Sequence, residues 1–134
     1  AIAAAGLLPD VRTWGVEPAA GDDARQSLHA GRRVTIPTPV TIADGQQVTS
    51  PGERTFAVMQ RHVTDIVTVT DDEIVAAMRF LFEHCKVVAE PSGACAVAAL
   101  LAGHIPVRDR VVGVIVSGGN VDLRRFSDLV GAPA

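Results

Sequence analysis

Glu17, Glu90 and the turn Ser117-Gly118-Gly119-Asn120 are the residues best placed to do chemistry, because each directly follows a strand-like run. Those runs are Val11 to Val16, Val87 to Ala89 and Val111 to Val116, and a fourth, Asp65 to Val69, leads into Thr70. In open parallel sheets, ligands bind beyond the carboxyl ends of strands, where helix amino termini also point. Two carboxylates and a glycine-rich polar turn should therefore converge on one edge. Paired glycines let the backbone approach a ligand closely, although the same turn also serves as an ordinary tight connection whose Ser or Asn caps the next helix. Glu90, in Glu90-Pro91-Ser92-Gly93, is equally a strand-end carboxylate facing a helix amino terminus.

A third acidic group lies in Glu17-Pro18-Ala19-Ala20-Gly21-Asp22-Asp23, whose hard oxygens suit magnesium or calcium. The competing use is that Asp22 or Asp23 caps the helix running toward Ala30. His29, His62, His84 and His104 show no mutual spacing for a metal or an acid–base pair, and read as surface or packing residues. Cys85 and Cys95 lack partners at zinc-site spacing and read as reduced, buried thiols of a cytoplasmic protein.

These residues must be carried by alternating strands and helices. Thr70 and Glu73 form a capping box, and Ile74, Met78, Leu81, Phe82 and Cys85 recur on one helical face. Ser50-Pro51-Gly52-Glu53 is a second start signal, with Phe56 and Met59 directed inward. The helix from about Gly93 to Ala102 has no polar face and must be covered on most sides. Residues Gly31 to Thr49 have no sustained period and read as a long functional loop. The fold class is α/β, an open, mostly parallel sheet with flanking helices, in one domain over residues 1–134.

Composition narrows the function. The 134 residues carry 12 basic and 15 acidic side chains, net charge -3, with 48% hydrophobic content and a mean hydropathy of +0.28. That is enough for a packed core, and the scattered basic residues leave no nucleic-acid footprint. The apolar stretch Ala94 to Ala102 is about half the ~20 residues of a membrane span. Ala1 to Ala5 lacks the flanks of a signal peptide and reads as the middle of a helix whose beginning is missing. A small-molecule partner is the resulting expectation.

Taken in order, Gly15-Val16-Glu17-Pro18, Thr41-Ile42-Ala43-Asp44-Gly45, Val69-Thr70-Asp71-Asp72-Glu73-Ile74, Val88-Ala89-Glu90-Pro91-Ser92-Gly93-Ala94 and Ser117-Gly118-Gly119-Asn120-Val121-Asp122-Leu123 resemble the threonine dehydratase and serine racemase branch of the fold-type II pyridoxal-phosphate enzymes. The resemblance spans Ala1 to Asp122. It implies the carboxyl-terminal part of the large domain of a tryptophan-synthase-β-like fold. Ser117 would meet the pyridine nitrogen of pyridoxal 5'-phosphate, Gly45 and Glu90 would line the ring, and Gly118 and Asn120 would complete the turn around it. Glu17, the Gly21 carbonyl and Asp23 match the family's divalent cation site, for Mg2+ or Ca2+. Gly21 stands where serine racemase has an alanine, a harmless change if only the carbonyl binds.

The resemblance also implies that the Schiff-base lysine and the phosphate-cradling loop lie upstream, so no catalytic residue is expected in this chain. Lys86, the single lysine, would sit at the wrong end of its strand. A hydroxyl does not hold the ring nitrogen protonated as a carboxylate does, which suits β-elimination over transamination. The implied function is L-threonine or L-serine dehydration to a 2-oxo acid and ammonia, of the short catabolic type and inactive in this chain alone. Implied partners are a hydroxy-amino-acid substrate, the remainder of the catalytic domain, and further copies in a homodimer or homotetramer. A serine racemase-type enzyme and a non-catalytic interaction module are the alternatives.

Overall fold

The computed structural model describes residues 1–131. The chain alternates helix and strand: α1 (Ile2–Leu7), β1 (Trp14–Pro18), α2 (Asp23–Ala30), α3 (Glu53–His62), β2 (Asp65–Val69), α4 (Asp71–Phe80), α5 (Pro91–Leu101) and α6 (Leu123–Gly131). A 3-10 turn (Asp44–Gln46) interrupts the long loop, and a π-helical turn (Leu81–Cys85) follows α4. The strands β1 and β2 pair in parallel, with Trp14 opposite Asp65 and Pro18 opposite Val69. The α/β class, with a parallel sheet and flanking helices, is what the alternation predicts.

The sheet is smaller than expected. Among the described residues, 87–89 and 111–116 carry no strand pairing, and the first strand begins at Trp14 rather than Val11. A strand exists by its ladder to a neighbour. Here Val111 is 104% exposed and Ile115 80%, so no described strand covers these two side chains. These two segments meet only at their carboxyl ends, where the Glu90 N–H donates to the Gly118 carbonyl at 3.1 Å.

The core lies between the sheet and helices α4, α5 and α6. Ile74, Ala77 and Met78 of α4 are fully buried against Ala94, Cys95, Ala98 and Ala99 of α5. The small side chains of α5 let the two helices approach closely, and truncating Met78 to Ala would cost about 2–5 kcal/mol. The capping box forms as expected: Thr70 Oγ1 accepts from Glu73 N–H at 3.2 Å and Glu73 Oε2 from Thr70 N–H at 2.7 Å. At the far end of α5, Gly103 adopts φ +73°, the left-handed stop that glycine favours.

Three helix expectations are corrected. Helix α3 is capped by Gly52, not Ser50, so Glu53 is its first residue and no box with Ser50 forms; Gly52 itself is extended. Phe56 is buried, whereas Met59 is half-buried. Phe82 and Cys85 are exposed, because the π turn breaks the 3.6-residue period and rotates them off the inward face. Only Cys95 is the buried thiol, pushed up to about 11 by that burial.

No described helix is long and apolar enough to cross a membrane.

Candidate functional site

Two clusters hold the expected site residues. The first begins at the end of β1. Glu17 turns back over the amino terminus of α2, where its Oε1 accepts from Ala24 N–H at 3.1 Å and its Oε2 from Arg25 N–H at 2.9 Å. Glu17 thus does the capping expected of Asp22 or Asp23; Asp22 occupies the N-cap position but makes no side-chain cap bond. Asp23 is 1% exposed, and neither of its carboxylate oxygens has a hydrogen-bond partner.

An unsatisfied buried carboxylate is costly unless a cation or proton joins it. Burial pushes Glu17 up to about 7 despite the two N–H donors, with Asp23 and Asp22 adding repulsion. Burial likewise raises Asp23, assisted by Asp22. A divalent cation would neutralise both groups and supply the missing partner to Asp23. No cluster of three or more His, Cys, Asp and Glu side chains stands within metal-binding reach among the described residues, so such an ion would need backbone carbonyls and water as well.

Gly21, the carbonyl candidate, is buried, and its surroundings fit glycine. A Cβ on Gly21 would stand 2.8 Å from Cγ and 3.0 Å from Cβ of Pro39.

The second cluster joins the 3-10 turn, the start of α5 and the glycine-rich turn. The Gly45 N–H donates to Ser92 Oγ at 2.9 Å, and Gln46 Nε2 to the Ser92 carbonyl at 3.1 Å. A Cβ on Gly93 would overlap the Gly118 carbonyl oxygen, one on Gly118 would overlap Glu90 Oε1, and one on Gly119 would stand 2.7 Å from the Val88 carbonyl oxygen. Gly45, Glu90 and Gly118 are thereby brought into one edge. Ser117 and Asn120 lie exposed in the same turn.

Sequence reasoning overlooked two contributors. By sequence Ser92 is only the residue before the expected helix start at Gly93, yet its buried hydroxyl accepts from Gly45 N–H. Asp71, seemingly one more first-turn acid, accepts from Thr41 Oγ1 and, at 3.1 Å, from Ile42 N–H, anchoring the long loop. No local signal marks either role, because both partners are about 30 or more residues away in sequence.

Residues 1–118 match the family described as "Pyridoxal-phosphate dependent enzyme". The chain belongs to that family. It is 46% identical over 130 residues to the L-threo-3-hydroxyaspartate ammonia-lyase of Saccharomyces cerevisiae, covering 97% of this chain and 40% of that protein. It is 39% identical over 133 residues to the catabolic L-threonine dehydratase of Escherichia coli, covering 98% and 40%. The solved structure of maize serine racemase superposes with a TM-score of 0.86 at 40% identity, over 92% of this chain and 39% of that one. The chain therefore spans about two fifths of the length of the relatives it matches.

The glycine-rich turn offers a backbone free of side chains at Gly118 and Gly119, an exposed Ser117 hydroxyl and the neighbouring Glu90 carboxylate. Lys86 is the single lysine of the chain. It is exposed, precedes the 87–89 segment, and its Nζ donates to the Glu83 carbonyl at 2.8 Å.

Proposed function

We propose that this chain is the carboxyl-terminal part of the catalytic domain of a pyridoxal-phosphate-dependent ammonia-lyase acting on a β-hydroxy-α-amino acid. The observation that carries the reading is the packing of Gly45, Glu90 and Gly118 into one edge beside Ser117, in a chain 46% identical to a hydroxyaspartate ammonia-lyase. In the complete protein the bound cofactor supplies an electron sink for carbanion chemistry. Ser117 would hydrogen-bond the pyridine nitrogen without donating a full proton to it. Gly118 and Gly119 keep the approach clear, Glu90 backs the turn, Gly45 lines the ring and Asn120 completes the edge. Glu17, the Gly21 carbonyl and Asp23 would hold Mg2+ or Ca2+, a role supported by the unpartnered, buried Asp23. The net reaction removes the α-proton and β-hydroxyl as water, and hydrolysis of the resulting enamine releases ammonia and a 2-oxo acid.

The base that removes the α-proton belongs to the remainder of the domain, as does the phosphate grip. Hence the chain alone is proposed to be inactive. The similarity to maize serine racemase favours a second reading, in which the same machinery returns the proton to the opposite face.

Both readings are tested by supplying the complete protein and the isolated chain with pyridoxal phosphate and L-serine, L-threonine or L-threo-3-hydroxyaspartate. Ammonia release by the complete protein alone supports the lyase; D-serine without ammonia supports the racemase. Stoichiometric borohydride trapping of the cofactor at Lys86 of the isolated chain, with ammonia release, overturns the partial-domain reading.

A further inference from the structure

Segment 31–49 is fastened at several places, and two of them are on the candidate cation site. Ser27, fully buried in α2, donates its hydroxyl to the Asp23 carbonyl at 2.6 Å and accepts from Val34 N–H at 2.8 Å. Buried Pro39 lies against Gly21, in the space a side chain there would fill. The far end is held by Asp71, through Thr41 and Ile42, and by Ser92, through Gly45 and Gln46. Gly21 thus lies against the segment that ends on the ring-lining edge, and the Asp23 backbone is joined to it through the Ser27 hydroxyl. Without an ion, the first turn of α2 holds an unpartnered buried carboxylate. An ion that fixes Asp23 and Gly21 also fixes what Ser27 and Pro39 hold.

We propose that Ser27 and Pro39 are positioning residues that couple occupancy of the Glu17–Gly21–Asp23 site to the seating of Gly45 on Ser92. This rests on the assignment of those two sites under Proposed function. The coupling is reciprocal by linkage: whatever the ion does for Gly45, a seated Gly45 does for ion affinity. It also explains why glycine occupies position 21, since the contact with Pro39 leaves no room for a Cβ.

The test uses the full chain with calcium as the probe, followed by calorimetry and by amide hydrogen exchange. Saturating calcium should slow exchange of the Gly45 N–H by roughly five- to fiftyfold, within the usual range of coupling between sites. Ser27→Ala and Pro39→Ala should each lose most of that slowing, while calcium affinity falls by no more than the same factor, as reciprocity requires. Exchange at Ile74, in the core, should slow by the same factor in the parent and in both variants, because it reports only the global stabilisation that calcium confers, which separates coupling from general tightening. Calcium binding with no change at Gly45 overturns the coupling and leaves the cation site standing. No uptake of calcium or magnesium overturns both. A wild-type response in both variants removes Ser27 and Pro39 from the path and so overturns the proposal. Should Ser27→Ala fail to fold, Pro39→Ala, a ring deletion in a loop, carries the same decision.

Discussion

Gly93→Ala should break the join between α5 and the glycine-rich turn, and its cost is readable from the structure. The new Cβ would overlap the Gly118 carbonyl oxygen and stand 2.9 Å from the Gly118 nitrogen. Both obstacles are backbone, so no side-chain rotation relieves them. Overpacking of this kind costs about 1–3 kcal/mol. Pushing Gly118 away also strains the bond that its carbonyl accepts from Glu90 N–H, worth about 1 kcal/mol. Alanine returns up to about 1 kcal/mol through its better helix propensity. The balance is a loss of about 2 kcal/mol, or a fall in Tm of about 8 °C for a chain of this size. Urea unfolding of Gly93→Ala should be compared with Gly113→Ala, where nothing lies within 4 Å and the change should stay within about 0.5 kcal/mol. Equal stability of the two variants would refute the packing of the turn on α5.

Millimolar calcium should raise the melting temperature, by an amount equivalent to about 1.4 kcal/mol at ten times the dissociation constant, and Glu17→Ala should remove that shift; an intact shift places the ion elsewhere. Asp65 is held below its ordinary value by the His29 hydrogen bond, aided by Ile66 N–H, so its contribution is present above the unfolded value near 4 and is lost as pH falls through the folded value. Unfolding midpoints measured between about pH 5 and 3 should therefore fall less steeply in His29→Ala than in the parent. Glu73 behaves alike: burial would raise it, but the Thr70 N–H and His104 outweigh that, so His104→Ala should flatten the same limb. In the complete protein Ser117→Ala should keep cofactor binding but slow elimination by about five- to tenfold, the worth of one hydrogen bond, and unchanged turnover makes Ser117 a turn residue only.

Local signals were legible where the structure is local. Thr70 and Glu73 stand three residues apart, and their reciprocal bonds are a property of that spacing. The featureless polarity of α5 correctly announced a buried helix, since nothing along it could face water. Across longer separations the sequence was silent. Glu17 rather than Asp22 satisfies the start of α2 because β1 delivers a longer side chain over the helix end, which is a matter of tertiary placement. Ser92 and Asp71 act on the long loop for the same reason. The phase error at Phe82 and Cys85 has another origin: periodicity extrapolates a helix through a π turn that no residue type announces.

The two unpaired apolar runs connect these observations to the proposed function. Valine- and isoleucine-rich segments with no polar alternation are the mark of strands buried on both faces of a parallel sheet. Residues 87–89 and 111–116 have that composition, yet Val87, Val88, Val111 and Ile115 are exposed. Beside them lies an apolar groove of about 380 Å³, lined by Phe82, Val88, Val121, Leu123, Phe126 and Val130. An isolated folding unit has no reason to keep such strands bare, because flat apolar edges invite aggregation. The polar ends of both runs are nevertheless already arranged, with Glu90 bonded to Gly118 and Gly45 to Ser92. Arranged polar ends beside bare apolar runs are what the proposed reading, one part of a larger catalytic domain, leads one to expect.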